Sequence, residues 1–421
     1  MEVFLDWIRQ RGCSFAGIEV RMCDDDSGYG VFALRSFRIN ETLITLPPQL
    51  MITAGMVAEL PYYKQLLESC KERLQPFEVL VMFFLIEQPS SSIWAPYLNV
   101  LPRTFSTPAA TETTLNPDYL PLSVRNLWID QQAELKNIFE KLCRILVQQP
   151  SWERFLWAWH VVNTRCIFVE SKPHPLIDNT NGNTIAAFAL WDNVNKCYKV
   201  IATRLITEGD QIFVCYGGHS NGRLWIEYGF TLSSNIYNKV SITYGKHLLI
   251  ALAKSVGLTF TDSHLQTVKQ AGLPCDKILD LLIALAKSVG LTFTDSHLQT
   301  VEQAGLPCTL YASDAVPSFG LKANLRILQL DFNELTLYAS DAVPSFGLKA
   351  NLRILQLDFN ELNNWSKIVY TNEKENNNEL VTAVLRKLLE ISQKKMDNIP
   401  EKFHWLWNEQ ISLLEECIRN A

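Results

Sequence analysis

Two Tyr-Gly pairs, at Tyr216 and Tyr228, lie twelve positions apart in the chain. Alternating β-branched and aromatic residues predict a half-buried strand over 211–216, and the apolar spacing over 221–227 predicts a short helix. A strand and a helix joined by a short loop could bring the two phenol hydroxyls to one point, where they would bind a polar group. The alternative is that both tyrosines are aromatic core residues with a polar tip.

A glycine pair and an arginine are the other candidates for chemistry. Gly28 and Gly30 flank Tyr29 between two predicted strands. Glycine lets the backbone come close to a ligand, although a plain β-turn gives the same pattern. Arg165 is the last residue of a helix that is predicted to begin after Ser151. Taken alone, it is either a surface arginine at a helix end or a ligand-binding one.

The elements that must position these residues fall into three blocks. Residues 17–53 alternate apolar and polar side chains around a glycine turn, which predicts short strands. Residues 54–160 repeat apolar side chains every three or four positions, which predicts helices, one of them capped by Ser123. Helical spacing returns at 325–332, at 380–391 and in a last helix. The sequence therefore predicts an α+β protein, with a β-rich domain, a helical insertion inside it and an all-α domain after it.

Three stretches of the chain resemble SET-domain lysine methyltransferases. They are the segment 28–53 (GYGVFALRSFRINETLITLPPQLMIT), the phrase Trp94-Ala95-Pro96-Tyr97-Leu98, and the segment 210–230 that contains both Tyr-Gly pairs. The class is the one without a cysteine-rich segment after the SET domain, and it is related to the Rubisco large-subunit methyltransferases. The resemblance implies a SET domain over residues 1–235, with its helical insertion at about 54–160, and a helical, substrate-binding-like domain over 236–421.

The resemblance also implies a reaction and a role for each candidate residue. Members of the family transfer a methyl group from S-adenosylmethionine to a lysine side chain of a protein, and histones are one class of substrate. The implied catalytic residues are Tyr228, which acts on the lysine amine, and Tyr216, which lines the lysine channel. The implied cofactor-binding residues are Gly28, Tyr29, Gly30, Arg165 and Tyr216. The family's matching arginine binds the carboxylate of the cofactor, and no metal is required.

Between Thr184 and Ile185 the chain departs from the family pattern. Relatives have a further apolar strand at this point, followed by Asn-His-Ser, which contacts the adenine of the cofactor. This chain contains no Asn-His pair. About twenty residues are missing, roughly the length of a strand with its flanking turns. Either the gene sequence is misassembled at this point, or the cofactor site is impaired, in which case we expect a poorly stable and catalytically weak protein.

Two other functions stay open at this point. A methyltransferase-like protein that has lost catalysis could survive as a protein-binding module, which the missing segment favours. Some relatives in this class methylate histidine, so a protein-histidine methyltransferase is the second alternative.

Two segments of the C-terminal region occur twice. Residues 248–275 recur as 281–308 with a single difference, and residues 309–335 recur unchanged as 336–362. Solenoid arrays diverge while they keep a packing pattern, and they need about three or more units. Two different segments that are each duplicated once fit a recent tandem duplication or a misassembled gene better.

The composition excludes several classes of function. The net charge of −6 and the pI near 5.7 leave no basic stripe for phosphates, so we expect no direct nucleic-acid binding. No apolar run is long enough for a membrane span, and the N-terminus lacks the features of a signal peptide. Ten scattered cysteines lack metal-ligand spacing, so we expect reduced thiols and no zinc. We expect a monomer of the nucleus or cytoplasm that acts on a protein substrate.

Overall fold

The computed structural model describes residues 1–23, 28–112, 114–169, 173–178, 184–186, 190–192, 197–241 and 378–420, together with short strands and single positions between 261 and 361. The chain divides into two compact units. The first unit contains residues 1–115, 127–219 and 223–231, and the second contains 116–126, 220–222 and 232–421.

Strands of the first unit form small antiparallel sheets. One sheet has the order β1 (Ser14–Phe15), β4 (Thr42–Leu46), β8 (Cys197–Ile201), β7 (Leu190–Asp192), and another has the order β2 (Ile18–Met22), β3 (Tyr29–Ala33), β9 (Gln211–Ile212). Strand β5 (Ile167–Val169) pairs with β6 (Thr184–Ala186). The strands predicted within 17–53 are therefore confirmed, and strands far along the chain complete their sheets.

Apolar side chains from both larger sheets share a small core. Its members are Ile18, Ala33, Phe37, Leu43, Ala202 and Ile206. The fully buried Phe37 pairs with Ile206 in an isolated antiparallel bridge, and the guanidinium of Arg35 lies 4.0 Å from its ring centroid. Because this core packs against β2 and β3, it holds in place the hairpin whose β3 strand carries Tyr29 and Gly30.

Helices occupy the N-terminus and the region between β4 and β5. They are α1 (Glu2–Gln10), α2 (Ala54–Glu59), α3 (Pro61–Ser69), α4 (Pro76–Ile86), α5 (Ala95–Val100), α6 (Pro108–Thr111), α7 (Leu122–Ile145) and α8 (Trp152–Arg165). The helical character predicted for 54–160 is confirmed. The cap predicted at Ser123 is wrong, because the N–H of Arg125 donates to the carbonyl of Pro121 at 2.8 Å and the helix already begins at Leu122.

Helix α4 lies at the centre of the helical core. Its residues 79–85 are all buried, so the helix is apolar on every face. The buried carboxylate of Glu78 pairs with the Nζ of Lys141 at 2.6 Å, which offsets the cost of its burial. Helix α8 packs against α4 and contributes Phe155 and Trp159, both buried as their apolar stripe predicts.

Helix α8 begins and ends where the sequence predicts. The Oγ of Ser151 accepts a hydrogen bond from the N–H of Arg154 at 3.2 Å, which satisfies one of the free donors of the first turn. The helix ends at Arg165, and the extended backbone of Cys166 leads into β5. Arg165 therefore lies at a junction between a helix and a strand.

The second unit contains two long helices near the C-terminus. After α9 (Asn221–Tyr228), the chain forms two further helices near its C-terminus. They are α10 (Asn378–Met396) and α11 (His404–Asn420). They pack together through buried side chains such as Leu385 and Leu414. The helices predicted over 380–391 and at the C-terminus are confirmed.

The C-terminal region is helical, as predicted. It is not all-α, however, because it also contains three short strands. Strands β10 (Lys239–Ser241), β11 (Thr336–Tyr338) and β12 (Val343–Pro344) form an antiparallel sheet. Strand β11 pairs with a segment almost a hundred positions earlier, as Val240 lies opposite Leu337. Local spacing cannot predict such a pairing, because a strand is stabilised by its partner.

A buried polar cluster of the second unit is centred on Asn221. Its Nδ2 donates to the carbonyl of Leu232 at 2.8 Å and to Oε1 of Glu409 at 2.6 Å, and its N–H donates to Oδ1 of Asn238 at 2.7 Å. Burial raises the pKa of Glu409, and the hydrogen bonds from Asn221 and Asn238 oppose that rise. Since Asn221 is the first residue of α9, this cluster fixes where the helix starts.

Several predictions concern residues outside the described ranges. The duplicated segments 248–275 and 281–308 lie outside them except for a few positions near 261, and 309–335 lies outside them entirely, together with the helix predicted over 325–332. The domain boundary predicted at 235 stays a prediction. No helix of the described part of the chain is both long and apolar enough to cross a bilayer.

Candidate active site

Tyr216, Tyr228 and Phe230 form an aromatic cluster. The ring centroids of Tyr216 and Tyr228 are 4.7 Å apart with the planes at 58°, and those of Tyr216 and Phe230 are 5.2 Å apart at 67°. Tilted and edge-on arrangements of this kind are the favoured ones for aromatic rings. The two phenols are therefore neighbours, and the three rings form a wall that an apolar stem could lie against.

Strand β9 is shorter than predicted, which changes how Tyr216 is presented. The strand predicted over 211–216 ends at Ile212, and the residues after it have no regular structure. Phe213 is 72% exposed and Tyr216 is 38% exposed, so the half-buried strand predicted there is wrong. The physical reason is a missing neighbour: β9 pairs with β3, and no strand of the described ranges lies on its other side.

Helix α9 presents Tyr228 from its C-terminal end. The helix predicted over 221–227 is confirmed, and Tyr228 is its last residue. Gly229 follows with a φ of +79°, and its N–H donates to two carbonyls of the last turn at 3.0 Å. A glycine in this left-handed conformation closes a helix and turns the chain. The second Tyr-Gly pair is therefore a helix end that places Phe230 beside Tyr228.

Gly229 is packed directly against the loop that precedes α6. The hydroxyl of Ser106 donates to the carbonyl of Gly229 at 3.0 Å. A Cβ added at Gly229 would lie 2.6 Å from the backbone nitrogen of Thr107, closer than real Cβ contacts allow. Only glycine fits at this position, so the contact sets the distance between the helix end and the loop.

Side-chain amides from α7 and α8 hold the last turn of α9. The Nδ2 of Asn163 donates to the carbonyl of Glu227 at 2.8 Å. The Nε2 of Gln131 donates to Oε2 of Glu227 at 3.1 Å and to the carbonyl of Ile226 at 3.2 Å. These bonds fix the orientation of the turn that carries Tyr228.

His160 supports the same loop from within α8. Its Nδ1–H donates to the carbonyl of Leu156 at 2.7 Å, its Nε2 accepts the hydroxyl of Thr107, and its ring stacks on Phe105 with the centroids 4.8 Å apart. Burial lowers the pKa of His160, the hydrogen bond to Leu156 opposes the shift and the nearby Arg165 adds to it, so that the pKa is about 4. The imidazole is therefore neutral near pH 7, as both of its hydrogen bonds require.

Arg165 is a half-buried cation beside the aromatic cluster. Its guanidinium lies 5.3 Å from the ring centroid of Phe105 and donates to the hydroxyl of Thr164. Burial lowers its pKa, and its electrostatic neighbours, led by Tyr97 and Tyr216, oppose the shift. None of the carboxylates that the structure describes pairs with it. A desolvated guanidinium without an acidic partner can bind the carboxylate of a ligand.

The hydroxyl of Tyr228 stays protonated at neutral pH. Burial raises its pKa above the ordinary value near 10, and the nearby Glu227 adds to the rise. A neutral phenol can accept a hydrogen bond from an amine and donate one to an acceptor. Tyr228 can therefore orient a neutral amine without carrying a charge of its own.

The glycine hairpin has three residues in three different environments. Gly28 has a φ of +106°, and no residue that the structure describes has an atom within 4 Å of a Cβ added there. Tyr29 is 54% exposed and lines an apolar cavity together with Tyr97 and Cys166. A Cβ at Gly30 would lie 2.8 Å from Cys23, from Gln211 and from Phe32. Gly28 leaves space for a ligand, whereas the missing side chain of Gly30 makes room for its own neighbours.

Comparison with known proteins places these residues in context. No protein-family model matches the chain. The chain is 26% identical to mouse SET domain-containing protein 4 over 247 aligned residues. The alignment covers 52% of this chain and 55% of that protein. It is 29% identical to the ribosomal lysine N-methyltransferase set11 of Schizosaccharomyces pombe over 248 aligned residues. This second alignment covers 56% of this chain and 62% of that protein.

More distant relatives and a solved structure extend the comparison. An actin-histidine N-methyltransferase of Canis lupus familiaris is 23% identical over 304 residues, covering 66% of this chain and 49% of that protein. The chain thus spans less than two thirds of the length of these relatives. The SET domain of LSMT bound to methyllysine and AdoHcy superposes on 99% of this chain and 87% of its own with a TM-score of 0.54, at 13% identity. The chain has a SET-domain fold. The predicted resemblance to SET-domain lysine methyltransferases is confirmed.

Within this SET fold, three of the candidate residues lie together as one group, and a fourth, Tyr29, lines an adjoining cavity. Tyr216, Tyr228 and Arg165 belong to the group, and Tyr29 lines a cavity that reaches the surroundings of Arg165. Sequence analysis missed Ser106, His160, Asn163 and Glu227, which hold the group in place. Their local patterns carried no signal, because each acts through a partner far along the chain. In the described ranges of the SET fold no cluster of three or more metal-ligating side chains occurs.

Proposed function

We propose that this chain is an S-adenosylmethionine-dependent protein-lysine N-methyltransferase. One arrangement carries the proposal: two phenol hydroxyls and a phenylalanine ring are clustered beside a half-buried guanidinium that pairs with no described carboxylate. Such a site offers an apolar wall for a lysine stem, hydrogen-bond acceptors for its amine, and a cation for the carboxylate of the methyl donor. The SET fold and the names of the relatives support the same reaction.

The aromatic cluster would prepare and orient the amine. A free lysine has a pKa of about 10.4. Burial among aromatic rings disfavours its charged form, which lowers that pKa. The hydroxyl of Tyr228 would accept a hydrogen bond from the neutral amine and direct its lone pair, while Tyr216 would line the channel. Positioning of this kind can lower a barrier by several kcal/mol. Phe230 and Tyr216 would exclude water from the same space.

The residues present fit S-adenosylmethionine on the Arg165 side of the site. Arg165 would hold the carboxylate, and the open space beyond Gly28 would admit the ligand close to the backbone. Tyr29 and Tyr216 would line the site. The role of Gly30 as a cofactor-binding residue stays a prediction, since its own neighbours fill the space beside it. When bound, S-adenosylmethionine supplies an activated methyl group to a nucleophilic nitrogen.

The substrate proposed is a lysine side chain of a protein. Histones are one class to test, and the name of the relative set11 adds ribosomal proteins as a second. A monomeric state and a location in the nucleus or cytoplasm complete the proposal. A panel of purified histones and ribosomal proteins, incubated with labelled cofactor and read by mass spectrometry, would identify the modified side chain.

Methyl transfer to histidine is a second candidate, favoured by one observation. The actin-histidine N-methyltransferase of Canis lupus familiaris aligns with 66% of this chain, a larger share than the 56% with which the ribosomal lysine N-methyltransferase set11 aligns. An imidazole also has a neutral nitrogen near pH 7, so it would need no help from the surrounding rings to lose a proton. Mapping of the modified residue decides between lysine and histidine, with actin as an added substrate.

A catalytically impaired protein-binding module is the third candidate. Two observations favour it: the chain has no Asn-His pair, and Phe213 beside the site is largely exposed. Binding of a protein partner without methyl transfer to any side chain would support this candidate.

The proposed site is tested by removal of its cation. Arg165→Ala should weaken S-adenosylmethionine binding by about 1.5–3 kcal/mol, because a charge-assisted hydrogen bond is lost. Titration calorimetry on the full chain measures the change. Arg144→Ala, at an exposed arginine in the last turn of α7, is the matched control and should bind as the parent does. Unchanged affinity in Arg165→Ala would remove the assignment.

A further inference from the structure

The first unit contains an apolar cavity of about 410 Å³ whose described lining shares only Tyr29 with the residues of the proposed reaction site. Helix α1, strands β1 to β4 and β8, and the residues around α5 line it. None of the lining residues that the structure describes has a charged side chain, and Arg165 is not one of them. The cavity therefore lacks the groups that S-adenosylmethionine, with its charged amino-acid part, would need.

The alternation of the strands explains why the cavity is apolar. Ile18 and Val20 on β2, and Ile44 and Leu46 on β4, are two positions apart and so point to the same face of their sheets. Val20 lies directly opposite Val31 of β3, which also lines the cavity. Apart from Ile18, which is buried, these aliphatic side chains stay partly accessible although they face inward, because the surface they face is the cavity.

The volume sets the size of molecule that the cavity can hold. An apolar cavity of roughly 150 Å³ stays free of water and binds benzene. At the same cavity volume per non-hydrogen atom, the larger cavity would hold a molecule of roughly sixteen non-hydrogen atoms. Water gains few hydrogen bonds on such a lining, so an apolar occupant that displaces it is favoured.

Two tyrosines distinguish the ends of the cavity. Tyr29 lines it and is also well exposed, so this residue marks the opening. Tyr97 lines the cavity beside Cys166, and its hydroxyl forms no hydrogen bond with any residue that the structure describes. Burial raises the pKa of Tyr97 above its usual range and that of Cys166 to about 12, so both groups are neutral. The inner end can satisfy one polar atom without charge.

From this geometry we infer that the cavity is a binding site for a neutral, apolar molecule of about this size, with a single hydrogen-bonding atom that meets the hydroxyl of Tyr97. A charged headgroup is disfavoured, because burial of an ion without a partner is unfavourable. This site shares Tyr29 with the proposed cofactor site, but Arg165, Tyr216 and Tyr228 do not line it, and its occupancy does not depend on catalysis.

A fluorescent probe with a charged analogue tests the inference. N-phenyl-1-naphthylamine is neutral, has one N–H, and is close to the expected size; its fluorescence rises in apolar surroundings. It should bind the full chain at one saturable site. The analogue with a sulfonate on the same ring system, 1-anilinonaphthalene-8-sulfonate, should bind at least about tenfold more weakly. Dodecan-1-ol should displace the neutral probe from the chain.

Variants locate the probe in the cavity. Val20→Phe should fill part of the cavity and weaken probe binding at least about tenfold, and Ile44→Phe, from a different sheet, should do the same. Val3→Phe introduces the same side chain on α1 at a position that is 73% exposed and should leave binding unchanged. Tyr97→Phe should weaken binding about three- to tenfold through the lost hydrogen bond.

The outcomes separate clearly. Absence of a saturable site, equal binding of the sulfonate, or parental affinity in both filled variants would overturn the inference. Circular dichroism checks that each variant folds. If Val20→Phe does not fold, Ile44→Phe and the displacement by dodecan-1-ol decide, since the second of these needs no variant.

Discussion

Tyr228 and Tyr216 are neighbours in different surroundings. Tyr228 is the more buried of the two, and burial is the first cause of its raised pKa. A phenol in a drier environment forms a stronger hydrogen bond to a bound amine. Tyr216 is more exposed to solvent and interacts electrostatically with Arg165. We therefore assign the action on the amine to Tyr228 and the lining of the channel to Tyr216.

Tyr228→Phe should lower single-turnover methyl transfer by at least about tenfold while cofactor binding stays at the parental level, because its hydroxyl acts on the amine in the transition state. Tyr62→Phe removes the same hydroxyl from an exposed position on α3 and is the matched control. A parental rate in Tyr228→Phe together with a loss of transfer in Tyr216→Phe would reverse the two roles.

The sequence predicted the residues with reactive groups but not the residues that hold them. Tyr216, Tyr228 and Arg165 lie in stretches whose motifs are local, so their types and spacing could be recognised. Ser106 reaches Gly229 across 123 positions of the chain, and no local pattern predicts such a contact. Supports of this kind become apparent only once the fold is known.

At the scale of elements, helices were predicted better than strands. Helix α9 was predicted from its own spacing, because the hydrogen bonds of a helix are formed within a few residues. The strand predicted over 211–216 ends at Ile212, because the sheet offers no second neighbour within the described ranges. Strands β10 to β12 were missed for the same reason, since each depends on a distant partner.

Gly229 is the element-scale feature most open to test. Gly229→Ala must adopt a left-handed conformation, which costs about 1–2 kcal/mol, and its Cβ would also overlap the backbone of Thr107. We expect a total loss of unfolding free energy of about 2–4 kcal/mol, measured by urea denaturation. Gly209→Ala has a similar φ of +88°, and no atom of the described residues lies within 4 Å of its added Cβ, so it should lose only the free energy of the left-handed backbone. Equal losses in the two variants would contradict the contact.

At the scale of the whole molecule, the missing Asn-His segment bears on both the stability of the chain and its affinity for the cofactor. Phe213 is exposed where the family resemblance implies a covering strand, and exposed apolar surface costs roughly 25 cal/mol per Å². Insertion of about twenty residues after Thr184, the length of a strand with its turns, should raise the melting temperature and tighten S-adenosylmethionine binding. The first unit contains no residue of the duplicated segments, so removal of one copy of each is the control and should change cofactor binding little.

Equal cofactor affinity in the chain as it stands and in the chain with the insertion would mean that the segment is dispensable. Sequence comparison alone could detect the gap but not its effect, because stability depends on how the neighbouring surface repacks.

The bonds that hold the last turn of α9 also determine when the site can form. Gln131 and Glu227 are 96 positions apart, and Asn163 and Glu227 are 64 apart. Contacts between distant positions close slowly, because long loops must be ordered first. During synthesis at roughly 5–20 residues per second, Tyr228 follows Arg165 by several seconds. The nascent chain would therefore complete α8 with its cation exposed, and the aromatic cluster would assemble as a late step of folding.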